Sequence, residues 1–254
     1  MKALLLGLVS AGLAACAAEP AATDPVESAP SMGLMTSLPI YWSEARSMEE
    51  MLAPREASHW LRDHLEDDFR LVPLDTLAAD AAGNPSSAFA GLDLLLLAQS
   101  PALPPEDFVA LDRWVRDGGE VLIFADPLLT EHSEFGLGDR RRPLDIALMD
   151  TILARWGLAL GYDGAQPEGY RTIEADRIAV PVREAGFLEP EGAAPAADCR
   201  ITGTGLLAEC TIGQGRAVIL ADAAMLEHDG SEDQLQQRTA AFDSLLALLR
   251  RGNR

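Results

Sequence analysis

The sequence predicts an α/β domain built on a doubly wound, mostly parallel sheet, with a small β-rich insertion. Continuous apolar runs are typical of strands buried on both faces, and amphipathic stretches with helical periodicity separate these runs. The stretch at about 158–215 differs, because Gly and Pro interrupt its short strands. We therefore expect one domain over residues 32–254, with the insertion inside it.

The first half of the domain alternates strands and helices. An apolar run over residues 34–42 predicts the first strand. Pro54 begins a helix whose apolar residues recur at three- and four-residue steps as far as Phe69. A short strand over residues 70–74 follows, and the almost wholly apolar run over 92–98 predicts a strand in the middle of the sheet.

The alternation continues on both sides of the insertion. We expect a helix over residues 104–119 that ends at a Gly-Gly pair, and then a buried strand over 121–125. A further helix is predicted over 143–156. Its inward side chains are predicted to be Ile146, Met149 and Leu153. A strand over 217–221 and a helix over 234–250 close the domain, and right-handed crossovers place helices on both faces of the sheet.

The charge of the chain excludes several classes of function. Lys and Arg number 20 against 40 Asp and Glu, a formal net charge of −20 that repels nucleic acids and anionic lipid surfaces. Lys2 is the only lysine, and the other basic residues are arginines. Sites that need a lysine amine, such as a P-loop, a Schiff base or a pyridoxal phosphate site, are therefore not expected. We predict no bound cofactor.

The N-terminal segment has the features of an export signal. Residues 1–15 combine Lys2, a short apolar run and small residues at the end, which predicts a signal peptide. Cys16 follows Leu-Ala-Ala and resembles the lipidated cysteine of bacterial lipoproteins, although an ordinary signal peptide with an incidental Cys is the alternative. Residues 16–31 have the composition of a tether. We expect a periplasm-facing lipoprotein held to the membrane only by lipid, with Ala17 favouring the outer membrane over the inner.

The two remaining cysteines are placed to pair. Cys199 and Cys210 flank a strand, a Gly-Thr-Gly turn and a second strand. If residues 202 and 207 face each other across the hairpin, the two cysteines are also opposite. In an oxidising periplasm we expect a disulfide, and two free thiols are the alternative.

Polar and aromatic side chains follow the carboxyl ends of the predicted parallel strands. Ligands of open parallel sheets bind at this edge, and a polar rim on an apolar base has the composition of a small-ligand pocket. We expect Trp42 to be a stacking platform and the carboxylates to accept hydrogen bonds. The predicted ligand-binding residues are Ser37, Trp42, Gln99, Asp126, His132 and Asp222.

The sequence gives little support to catalysis. Residues 229–232 come nearest to a G-x-S-x-G nucleophile elbow, but the second Gly is missing. Histidines at metal-binding spacing are also missing, so no metal site is predicted. Two alternatives to a binding domain stay open. One is a periplasmic hydrolase that uses Asp126, His132 and Asp222, and the other is a structural envelope scaffold.

Residues 92–126 carry a resemblance to a known family. A strand ending in Gln-Ser-Pro, a helix with Asp-Arg-Trp-Val, a Gly-Gly pair and a strand ending in Phe-Ala-Asp-Pro occur there in order, and Gly-Gln-Gly-Arg-Ala-Val-Ile-Leu-Ala-Asp follows near the end. The segment resembles the extracytoplasmic domain of gliding-motility-type ABC-transporter auxiliary proteins, whose flavodoxin-like fold is similar to class I glutamine amidotransferases. The amidotransferase Cys and the Glu/His pair have no counterparts in this chain.

That resemblance implies a non-catalytic relative that binds a ligand or a partner. The partners implied are ABC-transporter subunits or other envelope proteins, and the ligand implied is a small molecule or a glycan. Our leading interpretation is a periplasmic lipoprotein that binds such a ligand at the carboxyl ends of its strands.

Overall fold

The computed structural model describes residues 29–45, 47, 49, 58–192, 197–228 and 230–251. The predicted signal peptide, the Cys16 lipidation site and most of the predicted tether lie outside these residues, as does the start of the helix predicted from Pro54. Within the described ranges, no helix is both long enough and apolar enough to cross a membrane.

The described chain alternates strands and helices before and after a run of strands. The strands are β1 (Ser31–Thr36), β2 (Arg70–Pro73), β3 (Leu94–Ala98), β4 (Glu120–Phe124), β5 (Leu158–Tyr162), β6 (Tyr170–Ala175), β7 (Ile178–Arg183), β8 (Gly186–Pro190), β9 (Ala197–Thr202), β10 (Leu207–Ile212) and β11 (Gly215–Leu220). The α-helices are α1 (Trp60–Glu66), α2 (Ser87–Ala90), α3 (Pro105–Arg116), α4 (Asp150–Arg155) and α5 (Glu232–Arg250).

A seven-stranded sheet in the order β2-β1-β3-β4-β11-β10-β9 forms the centre of the fold. The strands from β2 to β11 in that order are parallel to one another, whereas β10 and β9 pair antiparallel at one end. The protein therefore has a mixed α/β fold with a mostly parallel central sheet, as the continuous apolar runs predict.

Helices cover both faces of this sheet. All five residues of β3 are buried, and alternate side chains enter two separate apolar clusters. Leu94 and Leu96 pack in the cluster that contains buried residues of α1 and α5. Leu95 and Leu97 pack in the cluster that contains buried residues of α3 and α4. Burial on both sides explains why this strand has no polar face.

The predicted β-rich stretch consists of strands β5 to β10 in the described residues. β5 pairs with β8, and β6 pairs with β7, in two small antiparallel sheets. β9 and β10 instead extend the central sheet. Thr202 faces Leu207 and Cys199 faces Cys210, the register predicted from the sequence, and the two cysteines form a disulfide.

Removing this disulfide is expected to lower the free energy of unfolding by about 2–3 kcal/mol, because a closed loop of this size restricts the unfolded chain. The variant is Cys199→Ala/Cys210→Ala, measured by urea denaturation. The reducing agent dithiothreitol should destabilise the wild type and leave the double variant unchanged. An equal urea midpoint for the wild type and the double variant would contradict this expectation.

Three predicted elements differ from the structure. The helix predicted from Pro54 to Phe69 is described as α1 over Trp60–Glu66, because His59 has an extended backbone and caps its N-terminus. β1 ends at Thr36, so the strand predicted over 34–42 continues as a loop. The helix predicted over 143–156 begins only at Asp150, because the preceding backbone pairs with the loop after β4 instead of coiling. Leu129 N donates to Asp145 O at 2.8 Å, and Ala147 N donates to Asp126 O at 2.8 Å.

These backbone contacts also explain one error about the core. Ile146 was predicted to face inward, but it lies in this extended segment and is 55% exposed. Met149 and Leu153 are buried as predicted, because they lie at the start of α4 and inside it, against the apolar cluster.

Candidate functional site

Three loops at the carboxyl edge of the parallel strands enclose two adjoining cavities. The loops follow β1, β4 and β11. The histidine cavity has a volume of about 250 Å³ and is lined by residues that include Tyr41, His59, Arg62, His132, Glu134 and His228. The tryptophan cavity has a volume of about 290 Å³ and is lined by residues that include Thr36, Ser37, Trp42, Phe135 and Arg141. Pro39, Ser43 and Glu44 line both cavities and form the wall between them.

His59 forms an uncharged part of the histidine cavity. Its Nδ1 caps α1 by accepting a hydrogen bond from Leu61 N at 3.2 Å. Its ring also hydrogen-bonds the backbone of Leu226. Burial, with a smaller contribution from the neighbouring His228 at 5.3 Å between ring centroids, lowers the pKa of His59 to about 4. The imidazole is therefore neutral near pH 7, with both nitrogens engaged.

His132 and His228 lie at the exposed rim of the same cavity. The backbone N–H of His228 donates to Glu131 Oε2 at 3.2 Å, which joins the loop after β11 to the loop after β4. Arg62 lies over the ring of Tyr41 at 4.4 Å from the centroid and pairs with Glu66 at 2.8 Å. The arginine charge is therefore already balanced within the protein.

Glu44 holds the wall between the two cavities. One carboxylate oxygen accepts a hydrogen bond from Ser133 Oγ at 2.6 Å, and the other accepts from Glu134 N at 2.6 Å. Because Glu44 follows β1 and Ser133 follows β4, these bonds fix the two loops against each other. Sequence reasoning missed Glu44, whose position in a polar loop gives no signal of this contact.

Trp42 dominates the tryptophan cavity. Its side chain is 65% exposed, and its ring meets Tyr41 edge-on with 4.9 Å between centroids. On another part of the lining, Arg141 covers the ring of Phe135 at 4.1 Å and pairs with Asp139 at 2.8 Å. The cavity thus presents an exposed indole beside an arginine whose charge is already paired.

Gln99 lies under the cavities in a buried layer of hydrogen bonds. Its amide nitrogen donates to Asp126 O at 3.1 Å and to Leu144 O at 2.9 Å, and its amide oxygen accepts from Asp126 N at 2.9 Å. Ser37 Oγ donates to Gln99 O at 2.5 Å. Gln99 also has a left-handed backbone, with φ of 45°. The predicted ligand-binding side chain therefore joins loops, with its amide already occupied.

Asp126 is fully buried in the same layer. Its Oδ1 accepts from Leu128 N at 2.8 Å and its Oδ2 accepts from Ala223 N at 2.9 Å. Burial is the main reason that its pKa rises to about 6. Both carboxyl oxygens thus organise backbone, and neither faces a cavity as an acceptor for a ligand.

Asp222 repeats this arrangement next to Asp126. Its Oδ2 accepts from Arg183 N at 3.0 Å and its Oδ1 accepts from Ala224 N at 2.8 Å. Burial, followed by the charge of Asp126, raises its pKa well above the ordinary range. The first bond ties β7, from the β-rich stretch, to the loop after β11.

A second buried network supports the rim at His228. Glu227 accepts hydrogen bonds from the hydroxyls of Thr130 and Tyr170. Arg238 of α5 is buried and donates to Glu227 O at 2.9 Å and to Tyr170 Oη at 3.2 Å. Burial and the bond to Glu227 raise the pKa of Tyr170 to about 12. Sequence reasoning missed Tyr170 and Arg238, which come from elements distant in the sequence.

The six predicted residues thus divide into two layers. Ser37 and Trp42 line the tryptophan cavity, and His132 lines the histidine cavity. The other three lie in the buried layer: Gln99, Asp126 and Asp222. The described contacts include no hydrogen bond between His132 and either aspartate. Within the described ranges, no three His, Cys, Asp or Glu side chains are grouped to hold a metal ion.

Comparison with known proteins supports only the fold. No family model and no curated protein matches the sequence. Among solved structures, the chain is similar to exo-β-1,4-mannosidase Op5Man5 from Opitutaceae bacterium strain TAV5, with a TM-score of 0.50, 17% identity and coverage of 87% of this chain and 36% of that one. The chain therefore spans about a third of the length of that enzyme.

Two further structures are similar at lower scores. Cytoplasmic protein STM3548 from Salmonella typhimurium has a TM-score of 0.47 and 12% identity, with coverage of 87% of this chain and 98% of that one. Alpha-L-fucosidase isoenzyme 2 from Paenibacillus thiaminolyticus has a TM-score of 0.45 and 14% identity, with coverage of 87% and 33%. At 17% identity, the likeness to the mannosidase concerns the α/β architecture and does not extend to its activity.

Proposed function

We propose that this protein is a non-catalytic binding module that takes a small molecule or a glycan in its two cavities. The observation that carries this proposal is the separation of the layers. The cavities open at the carboxyl edge of the sheet, where open parallel sheets bind ligands. The carboxyl groups with raised pKa values, Asp126 and Asp222, lie beneath with their oxygens on backbone N–H groups.

The proposal also includes the cellular location of the protein and its attachment to a membrane. We infer export by residues 1–15, lipidation at Cys16 and a periplasm-facing position, in the outer membrane rather than the inner. The sequence features of the N-terminus support this setting, and the resemblance to transporter auxiliary domains supports ABC-transporter subunits or other envelope proteins as partners. Membrane fractionation of a Cys16→Ser variant tests the anchor, because the variant is expected to leave the membrane fraction.

Blocking the shared wall is expected to abolish binding. Ser43 is exposed and lines both cavities, so Ser43→Trp fills them without touching the buried layer. A compound from a small-molecule library that binds the cavities should stabilise the wild type by about 2.7 kcal/mol when its concentration is about 100 times its Kd. It should leave the stability of Ser43→Trp unchanged. Ser87→Trp, on exposed α2 and outside both cavities, is the matched control and should respond like the wild type.

Two results of this thermal-shift screen would count against the proposed function. One is a library that stabilises no protein of the set. The other is a compound that stabilises Ser43→Trp as strongly as the wild type, since such a compound binds elsewhere.

Glycoside hydrolysis by Asp126, His132 and Asp222 is the second candidate. A carboxyl group with a pKa near 6, as in Asp126, is what a general acid needs, and the fold is similar to part of a mannosidase. Against it, both oxygens of Asp126 are occupied. We expect no release of nitrophenol from nitrophenyl β-mannoside or β-galactoside. Turnover that is lost in a folded Asp126→Asn variant would establish the hydrolase instead.

A further inference from the structure

The charged side chains that line the two cavities disfavour an anionic ligand. Arg62 pairs with Glu66, and Arg141 pairs with Asp139. Both oxygens of Glu44 accept hydrogen bonds. The remaining acids, Glu131 and Glu134, also have partners, and His59 is neutral near pH 7. An anionic ligand would meet the negative charge of Glu44, because hydrogen bonds from neutral donors do not cancel that charge, and the two described lining arginines already hold carboxylates.

A neutral polar ligand meets a better match. The rim of the histidine cavity carries the side chains of Ser58, His132 and His228, whose groups donate and accept hydrogen bonds. The tryptophan cavity carries the exposed indole of Trp42, supported from the side by Tyr41. An indole face next to hydrogen-bonding groups suits a molecule with an apolar C–H face and hydroxyls at its edge, which describes a sugar ring.

The cavities are also arranged for a ligand of two units. They have similar volumes of about 250 and 290 Å³, and both are lined by Ser43 and Glu44. Each is small for a ligand site, but together they fall within the range of about 300–1,000 Å³ that is usual for small-molecule pockets. A ligand that fills both must cross the wall at Ser43 and Glu44.

We propose that the two cavities are adjoining subsites for two consecutive rings of a neutral oligosaccharide. One ring stacks on Trp42 in the tryptophan cavity, and the next ring enters the histidine cavity and hydrogen-bonds His132 and His228. This inference rests on the proposed function and adds the chemical class and the minimum length of its ligand.

The test is calorimetric titration of the full chain, made as Cys16→Ser so that no lipid is attached. The probes are neutral disaccharides (cellobiose, mannobiose, lactose and maltose), their monosaccharides, the anionic dimer of galacturonic acid and the cationic dimer of glucosamine. We expect a neutral disaccharide to bind at least about tenfold more tightly than its monosaccharide. We expect Trp42→Ala to lower the affinity for that disaccharide by about tenfold or more.

Two matched variants separate stacking from general damage. Trp42→Phe retains an aromatic face and should keep most of the affinity. Leu137→Ala removes an apolar side chain that is 87% exposed and lies outside both cavities, so it should leave the affinity unchanged. Circular dichroism checks that each variant is folded.

The outcomes distinguish this inference from the proposed function. Preferred binding of either charged dimer would overturn the neutral class and leave a binding module. Equal affinity for disaccharide and monosaccharide, or full affinity in Trp42→Ala, would overturn the two subsites. If every saccharide fails while the Ser43-sensitive library screen succeeds, the inference is wrong and the proposed function stands. If both fail, both are wrong.

Discussion

Raising the pH from about 3 to about 7 is expected to lower the free energy of unfolding by about 3 kcal/mol through Asp126 alone. Burial raises the pKa of this carboxyl group from 3.8 to about 6 in the folded chain. Between these values the folded state holds a proton that the unfolded state has released. The stabilising contribution is therefore present below the unfolded pKa and is lost as the pH rises through the folded pKa. Asp222 acts in the same direction, because its pKa is also raised.

The variant Asp126→Asn removes this contribution, because an amide does not titrate in this range, and it also removes the part of the Asp222 shift that the charge of Asp126 causes. Urea denaturation of both proteins at a series of pH values gives the difference in free energy of unfolding, wild type minus variant. We expect that difference to fall by about 3 kcal/mol from acid to neutral pH. The exposed Gln236 supplies a control, since Gln236→Asn exchanges one non-titrating amide for another and should follow the wild type at every pH. A constant difference between wild type and Asp126→Asn would mean that Asp126 does not change its charge over this range.

Replacing Gln99 with methionine is expected to lower the free energy of unfolding by about 3 kcal/mol, because buried groups at Asp126 and Leu144 lose three hydrogen bonds. Methionine has a similar length and flexibility, so the change removes hydrogen bonds without leaving a large cavity. Glutamine and methionine meet the same backbone strain at position 99, where φ is 45°. Chemical denaturation at pH 7 measures the loss.

This substitution also separates two roles for Gln99. If Gln99 binds the ligand directly, the Gln99→Met protein should lose affinity for the ligand and keep its stability. If Gln99 instead joins the loops, the Gln99→Met protein should lose stability. Gln236→Met, on the exposed side of α5, should change stability by no more than about 0.5 kcal/mol. If Gln99→Met matches this control, the buried layer does not hold the loops.

The central sheet was the most predictable part of the fold. The continuous apolar run at Leu94–Ala98 indicated a strand buried on both faces, and the Gly-Gly pair after α3 indicated the end of a helix whose apolar side chains recur at helical spacing. Pairing of Thr202 with Leu207 followed from the turn between them, and the register of the disulfide followed from that pairing. In each case the deciding interactions lie close together in the sequence.

The helix over 143–156 was mispredicted because contacts across the chain overrode the local pattern. Apolar residues at helical spacing include Ile146 and Met149, but the backbone between them bonds to Asp126 and the loop after β4. Local periodicity carries no information about such a partner. The loop after β1 was similarly mistaken for strand, since its apolar residues Leu38 and Ile40 are buried under the cavities without joining the sheet.

The site was predictable by position but not by role. Strand ends marked an edge at which Ser37, Trp42 and His132 line cavities. The same rule selected Asp126 and Asp222, but their carboxyl groups point away from the cavities and accept hydrogen bonds from backbone N–H groups. Which way a polar side chain turns depends on the neighbouring loops, and these come from segments far away in the sequence.

The two outer strands of the central sheet have a consequence for self-association. An unpaired strand edge is a template for pairing with another chain, and natural sheets protect it with charge, proline and short length. β2 has only four residues, with Arg70 and Pro73 exposed, and β9 exposes Asp198 and Arg200. Growth of the sheet by addition of a foreign strand is therefore disfavoured at both edges.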